Sequence, residues 1–147
     1  MSLAEVRTTK SFYENSPHVK ELTPSDFSDE GQAWTLKAPS SDQTAIIFYA
    51  PWCPHCQRFK ETWESLYRIN GCMRLAAFNC AKYNDYYVSK LKTSEAVRGF
   101  PTIAFYSGKE LKETYRGPRD PPDELVKAML LFCQRVNSGN GTGTKTL

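Results

Sequence analysis

Cys53 and Cys56 are two thiols with only Pro54 and His55 between them. That spacing lets the sulfurs meet, so the pair can close a small disulfide ring and open it again. Zinc binding is a second use of such a pair, but zinc takes four ligands, usually from two pairs. Cys72 and Cys80, with seven residues between them across a strand-like run, make a poor second pair. Haem attachment wants His directly after the second cysteine, where this chain has Gln57. Reversible dithiol chemistry is the reading that fits, with no metal and no organic cofactor expected.

The flanking residues say how the pair is held. Thr44-Ala45-Ile46-Ile47-Phe48-Tyr49-Ala50 is apolar and partly β-branched, the pattern of a buried strand. After the pair, Phe59, Trp63, Leu66 and Tyr67 recur at helical spacing, predicting a helix over about 53–69 that ends at Asn70-Gly71. The dithiol therefore sits where a buried strand turns into a helix, the context in which Cys-x-x-Cys reads as a redox motif. Unpaired N–H groups at the helix start face Cys53, and the helix dipole favours negative charge there. The thiolate is the attacking form of cysteine, so Cys53 is the expected nucleophile. His55 reads either as a second stabilising charge or as a plain surface side chain. Cys56, one turn into the helix, is the expected resolving thiol.

The remaining elements follow from pattern. Residues 1–17 read as a polar leader and Val19–Leu22 as a short strand. Thr23-Pro24-Ser25-Asp26 offers helix-start chemistry. Residues 39–42 read as a loop, Arg74 to Cys80 as a second buried strand, and the Tyr-rich run over about 84–92 as helical. Thr102–Tyr106 and Leu111–Tyr115 form a hairpin around Ser107-Gly108. Asp120 as N-cap, Pro121 at the first helical position and Asp123 three residues in predict a last helix. Its apolar face runs from Leu125 to Val136. Residues 137–147 read as a flexible tail. Alternation followed by a strand pair implies an α/β fold, a mixed sheet of four to five strands with helices on both faces.

Composition bounds the rest. A chain of 147 residues is one domain by size, and 40% hydrophobic with 13% aromatic residues suffices for a core. The net charge of +3 is spread along the chain, with no Lys/Arg run that marks a nucleic-acid partner. No apolar run approaches the roughly 18 residues of a membrane span. Five cysteines suit a catalytic pair plus spare thiols. Cys80 and Cys133 read as buried apolar fillers, and Cys72 as an exposed thiol with an intermolecular or regulatory disulfide as its alternative. The tyrosines at 83, 86 and 87 read as packing. Asn140-Gly141-Thr142 is a glycosylation sequon, meaningful only in a secretory setting.

Three motifs in order resemble the thioredoxin fold, and most closely the catalytic domains of protein disulfide isomerases. Phe48-Tyr49-Ala50-Pro51-Trp52-Cys53 with Cys56 is similar to that family's active-site strand and turn. Val97-Arg98-Gly99-Phe100-Pro101-Thr102 is similar to its cis-proline segment, and Tyr115-Arg116-Gly117-Pro118-Arg119 to the turn before its last helix. The resemblance spans about residues 18–136. It implies thiol–disulfide exchange on protein cysteines, with Cys53, Cys56, His55, Pro101 and Arg119 in catalysis. Arg119 would assist the second thiol, although alone it reads as an ordinary surface cation, and Pro101 alone as an ordinary turn proline. Trp52, Phe100 and Pro101 would meet the substrate, the Phe100 backbone serving as a docking edge.

Four departures stand out. Ile47 occupies the place where the family carries a buried acid, six residues before the first cysteine, and Ala77 that of its lysine partner. Losing both is physically consistent, since stranding one charge of a buried pair costs roughly 3–5 kcal/mol. It leaves water or another group to carry the Cys56 proton. The stretch from Asn79 to Pro101 is longer than usual, and the central dipeptide is Pro-His, as in bacterial periplasmic dithiol oxidases, not Gly-His. The expected partners are cysteine-containing proteins and a redox partner such as glutathione, a sulfhydryl oxidase or a reductase, acting on a monomer. Rival readings are a cytosolic thioredoxin-like reductase and a binding or chaperone module without turnover. With no leader or retention signal visible, a cytoplasmic or virus-associated setting is expected over the endoplasmic reticulum lumen.

Overall fold

A computed structural model of the chain describes residues 8–30, 32–37 and 42–140, with the side chains of 138–140 excepted. Residues 1–7 of the expected leader, most of the loop at 39–42 and most of the sequon at 140–142 lie outside the described residues. Five strands form one sheet in the order β1-β3-β2-β4-β5. Their ranges are β1 Val19–Leu22, β2 Gln43–Tyr49, β3 Met73–Asn79, β4 Thr102–Ser107 and β5 Glu110–Tyr115. The first three run parallel, β4 is antiparallel to β2, and β5 is antiparallel to β4.

Strand period two divides the core into two faces. Ala45, Ile47 and Tyr49 of β2, Leu75 and Ala77 of β3, and Ile103 and Phe105 of β4 point to one face. There they pack against Cys56, Phe59 and Trp63 of α1 (Pro54–Ser65) and Leu125, Met129 and Phe132 of α3 (Asp123–Asn140). Ile46, Phe48, Ala76, Phe78, Ala104 and Tyr106 point to the other face. That face is covered by Phe27, by Tyr83 and Tyr86 around the short α2 (Asn84–Tyr86), and by Leu91 in the π-helical turn Tyr87–Lys92. Thr23–Asp26 forms a single 3-10 turn in which the Thr23 N–H donates to Asp26 Oδ2 at 2.8 Å.

Several expectations change. The leader is built into the core face: Tyr13 is buried, and Phe12 stacks on Tyr49 with ring centroids 4.7 Å apart. Asn79 Nδ2 holds the Thr9 carbonyl at 2.9 Å, and Ser16 Oγ bonds Glu64 of α1. A polar count over residues 1–17 hides these two adjacent aromatics. The Tyr-rich run is helical as expected, α-helical over Asn84–Tyr86 and π-helical over Tyr87–Lys92, with Leu91 and Val97 both in the core. The last helix opens later than Asp120. Its first bond runs from the Val126 N–H to the Pro122 carbonyl at 2.9 Å, and the Asp120–Pro121 bond is cis. That helix also continues to Asn140, into the stretch expected to be a tail.

Cys133 is not a free filler, nor is Cys72 a spare thiol: the two are joined in a disulfide, with Cα atoms 6.4 Å apart. They lie on elements distant in sequence that the fold brings together, Cys72 just before β3 and Cys133 on the inner side of α3. The bridge closes a loop of 61 residues of separation. Chain-entropy arguments give such a loop about 4 kcal/mol. Replacing both cysteines (Cys72→Ser with Cys133→Ser) should lower the unfolding free energy by roughly that amount in urea titration, leaving Cys53 titratable; a loss under about 1 kcal/mol would show that the bridge adds little.

Candidate active site

The strand hands over to the helix at the dithiol. The Cys53 N–H donates to the Ala50 carbonyl at 2.9 Å, turning the chain at the end of β2. Cys53 is then the N-cap of α1 and Pro54 its first residue, where a missing N–H costs nothing. The Cys53 carbonyl accepts the first helical bond from the Gln57 N–H at 3.0 Å, and Gln57 Nε2 ties back to the Pro51 carbonyl at 2.9 Å. The turn is fixed by both main chain and side chain, and it sets Cys53 at the helix end whose first N–H groups lack intrahelical partners.

The two sulfurs have different surroundings. Both thiols are free, but Cys53 keeps 8% of its surface exposed and Cys56 only 2%. Burial pushes the Cys56 thiol up to about 12. Charge on Cys53, and a hydrogen bond to its sulfur, push the same way; the Ala50 backbone and the positive charge of Arg119 pull against them. The charge of Arg119 is the smallest of these influences. That residue sits on a tightly packed turn, where a Cβ on Gly117 would lie 2.6 Å from the Tyr115 hydroxyl, itself bonded to the Pro118 carbonyl.

Phe100 and Pro101 come to the site from the opposite side. Their peptide bond is cis, and the Cys53 thiol faces the Phe100 carbonyl at 3.8 Å. The Trp52 ring meets the Phe100 ring edge-on at 6.0 Å, beside Cys53. His55 is exposed, and Arg58 Nη2 lies 2.8 Å from its Nδ1. Arginine only donates, so this nitrogen accepts. The positive charge beside residue 55 is therefore the Arg58 guanidinium.

The tyrosines pack as expected: Tyr83 and Tyr86 on Phe78 and Phe27, and Tyr87, on the π-helical turn, on Phe100 at 5.1 Å, which brings it to the site. One residue near the site escaped the sequence reading, Glu21. Ile47 and Ala77 are adjacent in register and fully apolar, and the next residue across the sheet is Glu21, paired with Ala77. Glu21 Oε2 accepts hydrogen bonds from the Tyr49 hydroxyl and from the Tyr13 N–H at 3.0 Å. Its other oxygen, Oε1, is buried with no partner among the described residues. Burial raises the Glu21 pKa, against the pull of those two hydrogen bonds. The available signal was strand parity: Glu21 alternates with Lys20 and shares the inward side with Val19.

The thioredoxin family model matches residues 18–130. The chain belongs to the thioredoxin family. Within it the domain is of the protein disulfide isomerase type. It is 34% identical over 127 residues to human "Protein disulfide-isomerase A6", covering 84% of this chain and 26% of that protein. It is 29% identical over 135 residues to "Protein disulfide-isomerase MPD1" of Saccharomyces cerevisiae, covering 90% and 38% respectively. The chain thus spans well under half the length of these relatives. Among solved structures, full-length ERdj5 matches with a TM-score of 0.60 at 26% identity, over 79% of this chain and 16% of that one.

The asymmetry between the thiols predicts an order of modification. Limiting iodoacetamide should label Cys53 first, Cys56 and Cys80 far more slowly, as read by peptide mass spectrometry. In a Cys53→Ser variant, alkylation of Cys56 should rise about tenfold per pH unit from about pH 7 to about pH 9, because a thiol pushed up to about 12 gains thiolate in that proportion. Labelling of Cys56 ahead of Cys53 would contradict this.

Proposed function

We propose that this domain is a protein thiol–disulfide oxidoreductase that works through Cys53 and Cys56. The supporting observation is the placement of Cys53: an N-cap sulfur, buried less deeply than Cys56, 3.8 Å from the Phe100 carbonyl, with Cys56 one turn deeper. In the reductive direction the Cys53 thiolate attacks a substrate disulfide, forming a Cys53–substrate bond and releasing one substrate sulfur as thiolate. Cys56 loses its proton and attacks Cys53. The Cys53–Cys56 bond forms, the mixed disulfide breaks, and the second substrate sulfur leaves. Run backward, the same steps oxidise a substrate dithiol.

The other roles follow from contacts. The Phe100 backbone beside Cys53 offers an edge along which an extended substrate can pair. Trp52 and Phe100 supply apolar contact next to the reacting sulfurs. Arg119 favours the Cys56 thiolate at the resolving step. His55, which accepts from Arg58, holds a cation near the first turn. The likeness to protein disulfide isomerases supports a potential of about −180 mV over the thioredoxin value of about −270 mV. The Cys72–Cys133 bridge favours an oxidising compartment over the cytoplasmic setting expected from the sequence.

The test is turnover on reduced, denatured ribonuclease and on insulin, with and without a thioredoxin reductase, beside a glutathione titration of the dithiol. Cys53→Ser should abolish both activities, and Cys56→Ser should accumulate mixed disulfides visible on non-reducing gels. Function retained in a Cys53→Ser, Cys56→Ser double variant would instead identify a binding or chaperone module. A potential near the thioredoxin value, with turnover dependent on the reductase, would identify a reductase.

A further inference from the structure

Phe100 carries the backbone edge beside Cys53, and two other rings hold its own. Trp52 meets it edge-on at 6.0 Å, and Tyr87 lies against it at 5.1 Å with the ring planes inclined by 49°. Both spacings fall in the range of attractive ring pairs. Phe100 is therefore the shared member of a run of three aromatic rings. That run begins at the Cys53 sulfur, which faces the Phe100 carbonyl at 3.8 Å. Each of the three is only partly buried, and Val88, next after Tyr87, keeps 44% of its surface exposed. Trp52 and Phe100 already have a part in the exchange reaction, and Tyr87 has none.

Tyr87 is fixed in place from both ends of its turn. Its N–H donates to the Tyr83 carbonyl at 3.0 Å, where the π-helical turn Tyr87–Lys92 begins. At the far end Leu91 is fully buried, and its carbonyl accepts from the Val97 N–H at 3.2 Å. Val97, three residues before Phe100, is fully buried as well. The turn and the Phe100 segment are thus tied together through the core, and a ligand that meets Tyr87 loses little free energy in ordering it. A chain laid in extended form along the Phe100 edge turns alternate side chains to the same side, roughly 7 Å apart. When its cysteine faces Cys53, the side chains two residues away face the protein too. The 5.1 Å step from Phe100 to Tyr87 is on that scale, which brings one of them to Tyr87.

We propose that Tyr87 determines a substrate preference: the domain favours protein cysteines in extended segments that carry an aromatic side chain two residues to one side, and Tyr87 is the ring that receives it. Aromatic pairs attract one another beyond the burial of their area, and a tyrosine offers a large contact face with few rotatable bonds. The occupant is a stretch of substrate chain, because the surface continues a backbone edge that lies against the reacting sulfur. The preference acts on how that stretch is held and leaves the order of sulfur attack as it stands.

This inference rests on the oxidoreductase reading, and the test separates the two. Short peptides with one cysteine, and phenylalanine or alanine two residues before or after it, are supplied in excess as symmetric disulfides, so that attack on either sulfur meets the same flanks. The reduced dithiol converts each peptide disulfide to two thiols and becomes the Cys53–Cys56 disulfide. The rate is read by acid quench and mass spectrometry and is normalised to the reaction of the same peptide with reduced glutathione. The wild-type chain should react about three- to tenfold faster with phenylalanine than with alanine in at least one of the two positions. Tyr87→Ala should bring that ratio to about one, Tyr87→Phe should keep it, and Tyr87→Leu should fall between. Tyr87→Leu decides alone if Tyr87→Ala fails to fold. A wild-type ratio near one in both positions overturns the preference. A ratio that survives in Tyr87→Ala, even with both rates lowered together, shows that Tyr87 only packs on Phe100 and overturns its role. No reaction of the wild-type chain with any peptide would instead defeat the oxidoreductase reading itself.

Discussion

A buried strand that stops where a helix starts fixes everything else about this site. β2 is paired on both sides, to β3 and to β4, and its last residues are sealed from solvent. It cannot slip by one residue without turning Ile47 and Tyr49 out of one core face and Ile46 and Phe48 out of the other. The N-terminus of α1 is therefore held in place by the sheet. The placement of Cys53 at that helix end is a consequence of that register, and so is the depth of Cys56 one turn along. A surface loop carrying the same four residues would have neither the pre-set donors nor the difference in burial between the sulfurs.

Much of this was legible in the chain because it is locally encoded. The apolar run before Cys53, the helical recurrence of Phe59 and Trp63 and the hairpin at Ser107-Gly108 each depend on neighbours in sequence. What escaped depends on contacts across the sheet or between its layers. Cys72 and Cys133 become partners only once α3 lies along the core face. Phe12 and Tyr13 look like stray aromatics until Tyr49 presents a ring to stack on. Pro122, and not Asp120, opens the last helix, a distinction that capping rules cannot make within three residues of prolines and acids. Of the site residues, Cys53, Cys56, Trp52, Phe100 and Pro101 lie together. Tyr87 arrives from the longer Asn79–Pro101 stretch, whose route no periodicity reveals.

Ile47 and Ala77 keep this part of the core apolar and closed. Both side chains are buried, and the face they share with Phe59, Leu75 and Ile103 is continuous. Polarity moves outward to the edge strand, where Glu21 is held by groups from the N-terminal segment and from β2. That segment is in this sense part of the architecture of the redox half of the sheet: without Tyr13 and Tyr49 the carboxylate would have no hydrogen-bond partners at all among those described.

The two cysteine pairs also lie at opposite ends of the parallel strands. Cys72 directly precedes Met73, which is in register with Gln43 at the start of β2, whereas the dithiol follows the end of β2. At the rise of an extended strand, those ends are about 20 Å apart. A chain with a free thiol pair and a separate bridge carries an internal hazard, because the free thiol could attack the bridge. Here the length of the sheet insulates Cys53 from the Cys72–Cys133 bond.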